Sequence, residues 1–168
     1  MKIFLIGLPG SGKSTLGKLL AENLQYRFID LDQAIEAVAG KTIPEIFSQQ
    51  GEEKFRELEH EALLAQMEVD SKFVMATGGG TPCFRDNMAL MRKAGKTIFL
   101  DIPIREIVRR IKQTDRAERP LLGRIHPDEL KVTIETLRTR RLPFYKMADI
   151  VVPSTQITVQ EIMQRVNA

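Results

Sequence analysis

A chain of 168 residues, 43% of them hydrophobic and 28% charged, suits one soluble globular domain spanning 1–168 and leaves little room for a second. Lysine and arginine number 25 against 22 acids, a net charge of +3 that is milder than the excess typical of nucleic-acid binders, so no nucleic-acid partner is expected. The single cysteine, Cys83, excludes an internal disulfide and a cysteine metal cluster, and no apolar run is long enough for a bilayer span or a signal peptide, so a cytoplasmic location without a membrane partner is expected.

Ile3-Phe4-Leu5-Ile6 reads as a buried strand. It runs into Gly7-Leu8-Pro9-Gly10-Ser11-Gly12-Lys13-Ser14, a full match to the Walker A pattern, after which Leu16, Leu19, Leu20 and Leu24 recur at helical spacing. A strand before and a helix after is the context that separates a phosphate loop from a chance Gly-Ser turn. The glycines let the backbone curl until successive N–H groups face phosphate oxygens, and the positive end of the helix adds to that field. Gly10, Ser11, Gly12, Lys13, Ser14 and Thr15 are therefore predicted to hold ATP. Lys13 would reach the β- and γ-phosphates, and the Ser14 hydroxyl would ligate Mg2+. The chain is too small for a motor, and the guanine-reading Asn-Lys-x-Asp of a switch GTPase is missing.

Phe28-Ile29 reads as a second strand, closed by Asp30-Leu31-Asp32. In an extended chain these two carboxylates would project the same way, beyond the sheet edge. One of them near the metal and the other near an acceptor hydroxyl is what phosphoryl transfer to an alcohol needs, the alternative being a loop with two solvated acids. Gly40, Gly51 and Gly95 each follow a helical stretch as C-cap candidates, and Thr42…Glu45 and Thr158…Glu161 have capping-box spacing. Phe55, Leu58, Ala62 and Met67 mark a second helix, on which Arg56 and Glu59 stand three apart, either as a surface ion pair or as a guanidinium fixed from behind.

Phe73-Val74-Met75-Ala76 is a third strand with no Walker B aspartate after it. The following Gly78-Gly79-Gly80 is read as a place where a ligand comes close, against the alternative of unusual backbone angles. Thr97-Ile98-Phe99-Leu100 and Ile150-Val151-Val152 complete five strands. Apolar strands alternating with helices predict an α/β fold, a three-layer αβα sandwich on a five-stranded parallel sheet. Between them lie many arginines, a solvated basic face or a convergence on a polyanion, and a polar, basic connection at about 112–127 that reads as a lid. His60 and His126 have no partners at metal-ligand spacing.

The ordered series goes beyond the phosphate loop: Asp30-Leu31-Asp32, Ile35-Glu36, Gly40-Lys41-Thr42-Ile43-Pro44-Glu45-Ile46-Phe47, Gly51-Glu52, Phe55-Arg56, Glu59, Gly78-Gly79-Gly80, Arg119-Pro120-Leu121-Leu122 and Arg141-Leu142-Pro143-Phe144-Tyr145. Over nearly the whole chain this resembles the shikimate kinase family. The resemblance implies ATP-dependent phosphorylation of the 3-hydroxyl of shikimate in aromatic amino-acid biosynthesis. It also implies a P-loop nucleoside-monophosphate-kinase-like fold, a substrate-binding helical segment at about 33–62, and a monomer with Mg2+ as cofactor. By resemblance, Lys13, Asp32 and Arg119 are the catalytic set. Asp32 contacts the accepting hydroxyl and Asp30 lies near the metal, through water. Arg56 and Arg141 clamp the substrate carboxylate, Gly78, Gly79 and Gly80 approach the substrate, and Arg110 lies against adenine. Two other readings stay open: a related small-molecule kinase resembling gluconate kinase, and a non-catalytic nucleotide-binding module.

Overall fold

A computed structural model describes residues 1–69, 71–113, 122, 125–153 and 158–168. Five strands form one parallel sheet: β1 (Lys2–Ile6), β2 (Arg27–Asp30), β3 (Phe73–Ala76), β4 (Lys96–Leu100) and β5 (Ile150–Val152), in the order β2-β3-β1-β4-β5. The expected strands are all present. The inner three are apolar because both faces are covered, with Ile3, Phe4, Leu5 and Ile6 at 0% exposure. The outer two are less buried than expected: Arg27 and Val151 are exposed, as sheet edges allow.

Helices α1 (Lys13–Leu24), α2 (Leu31–Ala39), α3 (Ile43–Glu68), α4 (Asn87–Ala94), α5 (Ile104–Gln113), α6 (Leu130–Tyr145) and α7 (Val159–Asn167) flank the sheet, giving the predicted αβα arrangement. α1 sits close against it because residue 17 is glycine: a Cβ there would stand 2.7 Å from the Phe28 ring. Both capping boxes form, Thr42 with Glu45 on α3 and Thr158 with Glu161 on α7. Gly40 caps α2 in the left-handed region at φ 65°. Gly95 ends α4 in extended backbone, and its lack of a side chain serves packing, since a Cβ would collide with the Lys2 carbonyl oxygen. Gly51 does not end a helix outright. At φ 81° and ψ 172° it breaks α3 into two segments, a conformation that glycine adopts and other residues resist.

Register places the site. Ala76 pairs with Leu5 on one side and Asp30 on the other, so β1, β2 and β3 end level. The loop after Ile6, the turn at Asp30 and the segment 77–80 therefore emerge side by side at the carboxyl edge, where open α/β sheets bind ligands. Among the described residues, no helix is long and apolar enough to cross a membrane.

Candidate active site

At that edge opens a cavity of about 680 Å3. One wall is the phosphate loop. Gly7, Gly10 and Gly12 hold φ of 147°, 81° and 90°, values that bend the backbone around a concavity and that side chains oppose. Gly12 precedes α1 without a side-chain cap, so the first-turn N–H groups of the helix face an open concavity. The Lys13 ammonium arches back over the loop and donates to the carbonyls of Gly7 (2.8 Å) and Leu8 (2.9 Å). Ser11, Ser14 and Thr15 also line the cavity.

The two aspartates correct the extended-chain expectation. The strand stops at Asp30, which becomes the N-cap of α2: its Oδ1 accepts from the N–H groups of Asp32 (3.1 Å) and Gln33 (3.3 Å). Asp32 thus rises from the first helical turn rather than from a strand. Both carboxylates still line the cavity, brought there by a cap instead of a pleat. Oδ2 of Asp30 accepts the Ser14 hydroxyl at 3.0 Å, tying the second strand to the phosphate loop. Asp32 is exposed at the cavity mouth, yet the walls thin the water around it. That desolvation, with repulsion from Asp30 and Glu59 that Lys13 only partly offsets, raises its pKa to about 6.

Two arginines at 6% and 7% exposure, Arg56 and Arg141, line the same cavity. Arg56 is no surface pair: Nη1 donates to Glu59 at 2.8 Å, and Glu59 is wholly buried. Nη2 meets the half-exposed Glu52 at 3.3 Å, while Phe84 and Phe55 flank the guanidinium at 4.2 and 5.1 Å. Nε of Arg56 and Nη1 of Arg141 are buried without a hydrogen-bond partner. Orphaned guanidinium hydrogens beside a cavity are costly unless an anion completes them.

The triple glycine answers to space, not to backbone angle, since none of the three has positive φ. A Cβ on Gly78 would lie 2.9 Å from Glu59 Oε2, on Gly79 2.7 Å from Arg141 Nη1, and on Gly80 2.5 Å from Arg56 Nη2. Each glycine thus makes room for a different member of the arginine cluster. Tyr145, at 0% exposure, anchors this segment by donating its hydroxyl to the Gly79 carbonyl at 2.6 Å. The only sign of Tyr145 in the sequence is its place one helical turn after Arg141 on α6. No local pattern announces the contact of Phe84 with Arg56.

Arg110 reaches the phosphate loop, donating to Glu106 (2.9 Å) and to the Gly10 carbonyl (3.2 Å). Of the other arginines, Arg109 and Arg138 are held by Glu106 and Asp101, and Arg105 and Arg140 are exposed, so the run is partly site and partly solvated face. Arg119 lies outside the described residues, as does most of the expected lid. Of that segment, 112–113 finish α5, and Leu122 is buried and lines the cavity. Among the described residues no group of three or more His, Cys, Asp or Glu could hold a metal. Ser14 and Asp30 offer two hard oxygen donors, a set that suits Mg2+ shared with phosphate oxygens.

A phosphate loop, two carboxylates and a recessed arginine pair meet in one cavity. Comparison with known proteins names a family. The family model for shikimate kinase matches residues 9–168. A shikimate kinase of Bacteroides fragilis is 43% identical over 151 residues, covering 90% of this chain and 83% of the relative. The solved shikimate kinase of Bacteroides thetaiotaomicron superposes with a TM-score of 0.86 at 39% identity, over 99% of this chain and 94% of that one. The Acinetobacter baumannii enzyme in complex with shikimate gives 0.87 at 30% identity, over 99% and 90%. Motif order, site geometry and near-complete coverage agree, and the chain belongs to the shikimate kinase family.

Proposed function

We propose that this chain transfers the γ-phosphoryl group of ATP to the 3-hydroxyl of shikimate. The observation that carries this reading is the recessed pair Arg56 and Arg141, whose unpartnered N–H groups call for a carboxylate in the same cavity as the phosphate loop. Shikimate has one carboxylate and a ring of hydroxyls, so anchoring the first presents the second to the loop.

In this reading the open N–H groups of the loop cradle the triphosphate, and Lys13 leaves its carbonyl partners to meet the β- and γ-oxygens. Asp32, ionised at neutral pH, accepts a hydrogen bond from the 3-hydroxyl and aims its oxygen at phosphorus. Because such transfers are loose, the proton leaves late, and orientation matters more than basicity. Ser14 and Asp30 would hold Mg2+, which when bound neutralises charge between the β- and γ-phosphates. Arg110, already against the loop, takes the nucleotide side. Arg119 carries the lid role that the family resemblance implies, reaching the transferring phosphate when the segment at about 112–127 covers the site and excludes water.

The clamp is tested by Arg56→Lys and Arg141→Lys. Lysine keeps the charge but loses the planar fork, so each variant should bind shikimate about tenfold more weakly while ATP affinity stays near wild type. Separate equilibrium titrations of the two ligands measure this. Wild-type affinity for shikimate in both variants would move the carboxylate site elsewhere.

A further inference from the structure

Behind Arg56 runs a chain of buried polar groups that phosphoryl transfer itself does not use. Glu59 holds Arg56 through Oε1 and receives the Thr81 hydroxyl on Oε2 at 2.7 Å. The Thr81 carbonyl accepts from Nδ2 of Asn87 at 3.0 Å, and Oδ1 of Asn87 lies 2.6 Å from Nδ1 of His60. With its nitrogen committed to Thr81, the Asn87 amide has only its oxygen to offer, so Nδ1 of His60 carries the proton between them. Glu59, Thr81 and Asn87 are all at 0% exposure. The chain joins α3 to the turn after the glycines and to the first turn of α4. Gly78 reserves the gap it needs: a Cβ there would stand 2.9 Å from Glu59 Oε2 and 3.0 Å from Thr81 Oγ1.

We propose that Thr81, backed by Asn87 and His60, is a positioning residue that fixes the aim of Arg56 for a monocarboxylate substrate. The proposal rests on the reading of this site as a shikimate kinase. A buried carboxylate needs donors on both oxygens. With Thr81 in place, Glu59 has one on each and presents Oε1 to Arg56 in a single orientation. Without the hydroxyl, one oxygen is stranded, and the carboxylate gains a reason to turn. Glu52, already 3.3 Å from Nη2 and half-exposed, then competes for the guanidinium and draws it toward solvent. The relay therefore acts on the carboxylate end of the site and leaves the phosphate loop alone.

The experiment compares wild type with Thr81→Val, which keeps shape without the hydroxyl, with Thr81→Ser, which restores the hydroxyl, and with Asn87→Ala, which reaches the relay from behind and serves if the valine variant does not fold. One readout is the steady-state constants for shikimate and ATP. The other is the Nε–H resonance of Arg56, assigned by its loss in Arg56→Lys, which needs no substrate. Thr81→Val should raise KM for shikimate about tenfold, hold KM for ATP within about twofold, lower kcat less than about threefold, and broaden the Arg56 resonance. Thr81→Ser should restore both readouts, and Asn87→Ala should show the same split more mildly. Wild-type KM for shikimate in Thr81→Val, equal losses toward both substrates, or no rescue by serine would each overturn the relay. If wild type turns over no shikimate, the functional reading fails, and the resonance still decides the relay. An unchanged Arg56 signal in Thr81→Val contradicts it, and broadening reversed by serine supports it.

Discussion

Asp32 stands in the first turn of α2, directly behind the Asp30 cap, where it lines the cavity. Its raised pKa of about 6 makes a prediction. The free-enzyme profile of kcat/KM against pH should have an acidic limb near 6, because protonated Asp32 no longer accepts from the substrate hydroxyl. A limb only near the ordinary aspartate range, about 4, would place the working carboxylate elsewhere. Stability should run in the opposite sense. A carboxyl whose folded pKa exceeds its unfolded value is a burden once ionised, and that burden is lifted as pH falls from about 6 to below about 4. Allowing for solvent screening in the open cleft, Asp32→Asn should raise Tm at about pH 8 by ~2 °C, on the order of 1 kcal/mol, with the gain fading below about pH 4. Thermal melts across that range check the sign.

The two aspartates should also part company in kinetics. Asp32→Asn should cut kcat by about a hundredfold with little change in ATP affinity, having lost the charged acceptor that orients the hydroxyl. Asp30→Asn should instead raise the magnesium concentration required for half-maximal rate, since Asp30 faces Ser14. Titrating magnesium against each variant separates the roles, and exchanged phenotypes would mean they are reversed.

At the level of elements, the strands, the phosphate loop and both capping boxes were legible, because each is written in local spacing. The glycines were legible as exceptions, though not in their reasons. Gly51 and Gly79 show the two reasons side by side. Gly51 has φ 81° and open space, with nothing within 4 Å of where a Cβ would stand, so it is there for its angle. Gly79 has ordinary backbone and a guanidinium where its Cβ would be. Gly51→Ala should therefore cost stability, about 1–3 kcal/mol by denaturant unfolding, as α3 loses its break. Gly79→Ala should raise KM for shikimate more than Gly51→Ala does, by pressing on Arg141, and should disturb the phosphate loop as well through Pro9, whose ring would lie 2.9 Å from the new Cβ. If Gly51→Ala were neutral and Gly79→Ala purely destabilising, the two explanations would be exchanged. Distant partners such as Thr81 with Glu59, or Phe84 with Arg56, left no trace in spacing because they meet only when α3 packs beside the turn after β3.

Across the whole molecule, the parallel order β2-β3-β1-β4-β5 brings residues from three loops and from α6 to one edge, so the phosphate loop, the two aspartates and the two buried arginines line one cavity. The αβα class followed from alternation of apolar strands and helices, while the depth of Arg56 and Arg141 followed only from tertiary packing. Net charge said little, since it sums over arginines that face solvent and arginines that face the site. The identity of the phosphoryl acceptor decides the function. Wild-type protein with ATP and magnesium should be assayed for ADP release with shikimate, with gluconate and with neither, and the product examined by phosphorus NMR. The expected result is ADP release that depends on shikimate, with one new phosphate monoester on the 3-oxygen. ADP release indifferent to shikimate, or a phosphate appearing on gluconate instead, would contradict it.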